Sequence, residues 1–312
     1  MKYIKKIVVL LIPGIIFFLY DFNIKAESSE DYSIAYINDY EGECLIKRKG
    51  QDIAEVIMDI YLPLYEGDSV ITELGSRAEI VFDDATLIKL DPNSSIVIKD
   101  LKKGKNNKTL LDLLKGKVIA IVKKLTVDEE FTIKTKLAAA AVKGTEFIVE
   151  AGDEERVGVY DGKVEVASVD MDGNILHKII LDKDKETKIV KKLKIPEKPK
   201  NLGRDFIKRY KEIKDLRKKI EFVREMRNKG EIKKYKLKRR IERIENLKKI
   251  MNNNPNKFKS LTPKQKKLID KMMQLEPYYR KQIEDMERKE IKEKRKIKLI
   301  KQLDKIKKEG EK

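Results

Sequence analysis

Between residues 34 and 190 apolar side chains recur at every second position in one short run after another, and few folds accommodate that pattern. Ala78, Ile80 and Phe82 set the period. Ile96 and Ile98, Val118, Ala120 and Val122, Phe131 and Ile133, Phe147 and Val149, Val157 and Val159, and Val164 and Val166 repeat it. Residues two apart lie on the same side of an extended backbone, so each run predicts a strand with one buried and one wet face. The runs are separated by Gly67-Asp68, Gly75-Ser76, Asp91-Pro92-Asn93-Ser94, Gly162-Lys163 and Asp172-Gly173-Asn174. Gly and Asn accept positive φ and Pro presets its own, so these are turns. The best helical signal in the region, residues 109–114, is too short to outweigh a strand. The expectation for 34–190 is an all-β domain of many short antiparallel strands, a β-sandwich or a β-solenoid-like stack.

After residue 190 the texture changes. Pro196 and Pro199 stand among lysines with no usable period, so 191–203 reads as a stiff, charged linker. From 204 to 312 the period is helical. Phe206, Tyr210, Ile213, Leu216, Ile220 and Val223 mark a stripe down one helix that Gly230 should end. Ile241, Ile244, Leu247 and Met251 mark a second, closing at Asn252-Asn253-Asn254-Pro255. Thr262-Pro263 should open a third, carrying Leu268, Met272 and Leu275 as far as Pro277, where a stop or kink is expected. A last segment, 278–308, spaces Ile283, Met286, Ile297, Ile300 and Leu303 thinly among charges. Such narrow stripes predict helix pairing, coiled-coil self-association, or ordering on a partner.

Charge divides the same way. Residues 1–200 carry 32 Lys and Arg against 35 Asp and Glu, whereas 201–312 carry 40 against 18, so the whole excess of +19 belongs to the helical third. A slightly acidic body with a basic tail points to an anionic partner: lipid headgroups, a wall polymer, nucleic acid or an acidic protein. Nucleic acid is disfavoured, because Tyr235, Phe258, Tyr278 and Tyr279 are too scattered for a stacking platform.

Residues 1–26 read as an export signal. Lys2, Lys5 and Lys6 precede an unbroken apolar run from Ile7 to Tyr20, and Ala26 offers a small residue for cleavage. The run is short for a spanning helix and Pro13-Gly14 interrupts it, so cleavage is favoured over an uncleaved anchor. The expected location is extracytoplasmic, periplasmic or secreted, with inner-membrane anchoring as the alternative.

The order of motifs along the body resembles the FecR domain, an extracytoplasmic bacterial module. It starts at Glu41-Gly42-Glu43 and Glu66-Gly67-Asp68-Ser69-Val70, and continues through Gly75-Ser76-Arg77-Ala78-Glu79-Ile80 and Leu90-Asp91-Pro92-Asn93-Ser94-Ser95. Leu114-Lys115-Gly116-Lys117-Val118, Lys143-Gly144-Thr145-Glu146-Phe147 and Tyr160-Asp161-Gly162-Lys163-Val164 complete it. Asp84-Ala85-Thr86 stands where the family usually has Asp-Gly-Ser, and Lys136 where it has Pro. The resemblance implies an envelope module that engages another protein. Its signalling members couple the domain to a cytoplasmic anti-sigma region, which is not expected here with only residues 1–6 ahead of the apolar run.

Catalytic chemistry has no foothold in the sequence. His177 is the single histidine, expected to face solvent at a strand edge, and Cys44 the single cysteine, expected buried and inert. Neither zinc ligands nor a phosphate loop can be assembled, and Asp83-Asp84 lacks the alternating oxygen donors of a calcium loop. No catalytic, metal or cofactor residue is therefore assigned, and the binding residues stay open. The expected function is a non-catalytic envelope protein whose FecR-like module binds another envelope protein, with the tail for docking or homo-oligomerisation. The alternatives are a membrane-tethered FecR-type sensor of signal transduction, and nucleic-acid or anionic-polymer binding through the tail.

Overall fold

A computed structural model describes residues 35–83, 85–102, 108–170, 174–190, 195–254, 259 and 261–310. The expected signal segment 1–26, Asp84, Asp172-Gly173, linker residues 191–194, Pro255 and Phe258 lie outside the described residues. The first strands are β1 (Ala35–Glu41), β2 (Cys44–Lys47), β3 (Glu55–Val56), β4 (Pro63–Leu64), β5 (Ser69–Thr72) and β6 (Arg77–Phe82). Then come β7 (Thr86–Leu90), β8 (Ser95–Lys102), β9 (Lys108–Ile121), β10 (Glu130–Lys134), β11 (Ala138–Val142) and β12 (Glu146–Ala151). The last are β13 (Glu154–Asp161), β14 (Val164–Val169), β15 (Ile175–Leu181), β16 (Lys185–Val190) and β17 (Lys200–Asn201). Four helices follow: α1 (Arg204–Ile207), α2 (Tyr210–Asn228), α3 (Ile232–Asn253) and α4 (Pro263–Gly310).

The strands make a sandwich. One sheet runs β4-β1-β6-β7-β9-β12-β13-β16-β17. The other runs β3-β2-β5-β8-β9-β10-β11-β14-β15. Strand β9 serves both: its first half pairs with β8 and β10, and its second half, from Gly116, with β7 and β12. The switch needs a glycine. Gly116 has φ +88°, and a Cβ there would lie 2.6 Å from the Cα of Ser94, whose hydroxyl accepts the Lys117 amide at 2.9 Å. All described pairings are antiparallel except β9 with β10, which is parallel, a departure from the expected antiparallel set. The chain leaves β9 in one sheet and crosses back to the other beside its own beginning, so β10 runs in the same direction.

Every residue of the period-two runs, from Ala78 to Val166, lies in one cluster between the sheets, joined by Ile37, Ile46, Val70 and Leu181. The expectation that the opposite faces are wet fails for the first sheet. Val81, Leu87, Ile119, Ile121, Ile148 and Tyr160 point outward from it and are buried under Phe206 of α1 and Ile213, Leu216, Ile220 and Val223 of α2. The first apolar stripe of the tail therefore packs on its own β-domain, where each fully buried aliphatic side chain contributes about 1.5–3 kcal/mol. That sheet is the covered sheet; the other is the open sheet.

The remaining helices form a hairpin. Leu237, Ile241 and Ile244 of α3 meet Met272 and Tyr279 of α4, with Leu247, Ile283 and Met286 at the margins. Gly230 at φ +72° ends the first helix as the sequence predicts, and α4 begins at Pro263. Pro277 neither stops nor breaks α4, contrary to expectation. Its ring removes one backbone bond, but Met272 and Tyr279, on either side of it, are both buried against α3 and hold the helix together across it. Within the expected linker, Pro196 bridges to Ile189 and β17 pairs with β16, so the covered sheet extends two residues into that stretch.

Candidate protein-docking site

The covered sheet is closed by charge as well as by apolar contact. Arg209 of the α1–α2 junction forks onto Asp91, with Nη2 2.7 Å from Oδ1, and Arg217 forks onto Glu146. Lys219 donates to both oxygens of Glu79 at 2.7 and 2.8 Å, and Arg224 donates to the Ala85 carbonyl at 2.8 Å. From α3, Arg239 donates to the Asn38 carbonyl at 3.1 Å, while Arg243 lies 3.9 Å from the Tyr40 ring centroid. Burial lowers the pKa of the Lys89 ammonium, with Asp91 opposing the shift and Arg209 adding to it. At the far end the Phe206 ring sits between Gly158 and the Arg156 guanidinium, which lies 4.0 Å over it and pairs with Asp205 at 2.7 Å and Glu186 at 3.0 Å. Paired guanidinium forks of this kind fix orientation as well as adding energy. Much of the basic character of α2 and α3 is thus engaged within the molecule.

The residues singled out from sequence are not brought together. Cys44 is buried, its thiol donating to the Arg77 carbonyl at 3.3 Å, and burial pushes its pKa up to about 11. His177 is exposed on β15. Asp83 ion-pairs with Arg227 at 3.1 Å and Lys123 at 4.0 Å, so its turn anchors α2. Asp68 of the Gly67-Asp68 motif is buried and accepts Arg48 Nη1 at 2.6 Å and the Tyr65 amide at 2.9 Å, which makes it a loop anchor. Among the described residues no group of three or more His, Cys, Asp or Glu converges as a metal would require, and no helix is long and apolar enough to cross a membrane.

What the structure leaves unpaired is a sheet edge. A sandwich of two open sheets has four edges, and three of them are two-residue strands: β3, β4 and β17. Short edge strands are a common device against unwanted pairing. The fourth is β15, with seven residues, paired with β14 on one side and with no described strand on the other. Ile175, Leu176 and Ile180 are 55%, 41% and 61% exposed along it, while Ile179 and Leu181 hold it to the core. Beside Ile180 in register come Glu165, then Ala141; beside Lys178 come Ala167, then Ala139. The small residues leave a low strip next to the apolar ridge of β15. An extended segment laid along this edge would satisfy its free backbone groups and cover the three aliphatic side chains. Sequence reasoning put His177 at a strand edge without reading that edge as a docking site. The available signal was the crowding of Ile175, Leu176, Ile179 and Ile180, more apolar than one buried face requires.

Residues 68–165 match the FecR protein family, so the strand-rich region carries a FecR domain that includes most of the sandwich. No curated protein matches the chain. Among solved structures, two crystal structures at 1.65 and 2.50 Å resolution, of a protein from Parabacteroides distasonis ATCC 8503 described as an anti-sigma factor, resemble it with 18% identity and a TM-score of 0.36. The likeness covers 43% of this chain and 59% of that one, less than two thirds of its length.

Proposed function

We propose that this chain, carrying a FecR domain over residues 68–165, is a non-catalytic, extracytoplasmic regulator of signal transduction that binds a partner protein along the free edge of β15. The observation that carries the reading is the asymmetry of the sandwich. One sheet is closed over its outer face by the protein's own helices, and the other ends in a seven-residue edge strand that no described strand flanks on its outer side and that carries exposed aliphatic side chains. The partner contributes an extended segment; main-chain bonds to β15 provide affinity, and Ile175, Leu176 and Ile180 select the side chains that rest against them. Export follows from the apolar run of residues 7–20 behind three lysines.

The test is site-specific photocrosslinking in cells of the source organism, with the probe at Ile180 and, as comparison, at the isolated exposed residues Leu74 and Val127. The expected result is one partner crosslinked from Ile180, through a peptide of that partner with alternating apolar residues, and not from the other two positions. With the probe kept at Ile180, substituting Ile175→Lys together with Leu176→Glu should abolish the product while leaving the unfolding curve within about 0.5 kcal/mol of wild type, as exposed positions do. Crosslinks from Leu74 or Val127 with none from Ile180 would overturn the reading.

A further inference from the structure

The last helix, α4, is only half engaged. Lys234 near the start of α3 pairs with Glu287 at 3.1 Å and Glu290 at 3.3 Å, which marks where α3 ends beside α4. Beyond that point α4 continues to Gly310, roughly 30 Å further at the α-helical rise. From Arg288 to Leu303 every residue is exposed, and among the described residues none from Ile291 to Leu303 makes an ion pair. Residues 288–310 hold 11 Lys and Arg against 4 Asp and Glu. The charge is arranged. Lys294, Lys298 and Lys301 follow one another at helical spacing on one face, and Leu299, Ile300 and Leu303 lie on the other, each about half exposed. Lys292 and Lys296 fall among the aliphatic residues, where a long stem can lie along apolar surface with its ammonium at the rim.

From this we infer that the projecting half of α4 is an interfacial helix that lies on an anionic phospholipid surface. A helix with a cationic face and an aliphatic face sinks its apolar side to the level of the headgroups while its lysines meet the lipid phosphates. A second copy of the chain fits less well. To extend the α3–α4 seam through Ile283 and Met286, the following seam positions would have to be apolar, but the next two hold Glu290 and Glu293, and Asp304 closes the seam again after Ile297 and Ile300, so only two apolar positions remain for a partner helix. Nucleic acid fits less well too, since residues 288–310 contain no aromatic side chain for stacking.

The experiment is cosedimentation of the full chain with vesicles of phosphatidylcholine alone or with one third phosphatidylglycerol. Binding should be strong with the anionic vesicles, weak with the neutral ones, and reduced by salt. The variant Lys294→Gln, Lys298→Gln, Lys301→Gln should bind anionic vesicles on the order of a hundredfold more weakly, at about fivefold per lysine. The variant Leu299→Gln, Ile300→Gln, Leu303→Gln should also lose binding, with both variants unchanged in helical circular dichroism. Both retain the apolar run of residues 7–20, so binding that persists undiminished in them belongs to that run and overturns the inference. It also fails if the lysine variant loses salt-sensitive DNA binding but keeps vesicle binding, or if the variant at Leu299, Ile300 and Leu303 converts a dimer to a monomer by ultracentrifugation without any change at the vesicle.

Discussion

Adding one methyl group at Gly158 distinguishes a docked tail from an independent one by the sign of its effect. Gly158 lies in β13, opposite Ile148 and Glu186, with no positive φ, so alanine fits the backbone. If the tail were independent, Gly158→Ala would raise stability by about 0.4–1 kcal/mol, because the unfolded chain loses freedom. In the structure, a Cβ at this position lies 2.7 and 2.9 Å from two carbons of the Phe206 ring and 3.0 Å from Leu202 Cδ2. Carbon atoms rest at about 3.5–4.0 Å, so the ring must withdraw by roughly 0.8 Å or more. It cannot withdraw freely: the Arg156 guanidinium covers its other face at 4.0 Å and is itself held by Asp205 and Glu186. Overpacking of this kind costs about 1–3 kcal/mol. The chain has no tryptophan, so urea unfolding is followed by far-UV circular dichroism. The expected result is a lower midpoint with an unchanged slope, and in a Phe206→Ala background the same substitution should become neutral or stabilising. A wild-type or higher midpoint for Gly158→Ala, or an equal loss in both backgrounds, would refute the docking of α1 and α2 on the covered sheet.

Three further outcomes are expected. Ile220→Ala, in the centre of the buried face of α2, should lower stability by about 2–5 kcal/mol, with helix and strand signals lost in one transition; a separate helical transition at lower urea would contradict the shared core. Glu155 is buried, accepts the Thr135 hydroxyl and the Leu137 amide at 3.0 Å, and has its pKa raised by burial. A carboxyl raised in the folded state binds more protons there than when unfolded, so it lowers stability as pH rises from the ordinary Glu value of about 4.3 through the raised one. Glu155→Gln should flatten that part of the pH–stability curve, as read by urea midpoints across pH 4–8; an unchanged curve would show that the group is not shifted. The Cys44 thiol, pushed up to about 11 by burial, should react with a disulfide reagent at pH 8 only as fast as the protein unfolds, which stopped-flow absorbance can measure.

The period-two runs determined the strands and their inner face, because alternation is a property of neighbouring residues and needs no knowledge of distant ones: each residue it marked lies between the sheets, while the choice of a sandwich over a solenoid-like stack rested on strand pairing. The turn at Gly230 and the start at Pro263 were legible for the same reason, being set by the local φ of glycine and proline. The burial of the outer face was written more faintly. Val118 to Val122 and Phe147 to Val149 are continuous apolar runs, the mark of a sheet covered on both faces, but a run does not say what covers it. Only the folded chain brings Phe206 onto Gly158, Arg217 onto Glu146 and Ile220 into one cluster with Val81 and Ile119. The same holds for β15: whether a strand is interior or edge depends on which other strands lie beside it. What the α2 stripe meets and how α4 passes Pro277 were decided by partners far away in sequence, since a helix face or a missing backbone bond is stabilised by whatever surface meets it, the sheet for α2 and α3 for Pro277, and those surfaces exist only in the folded chain.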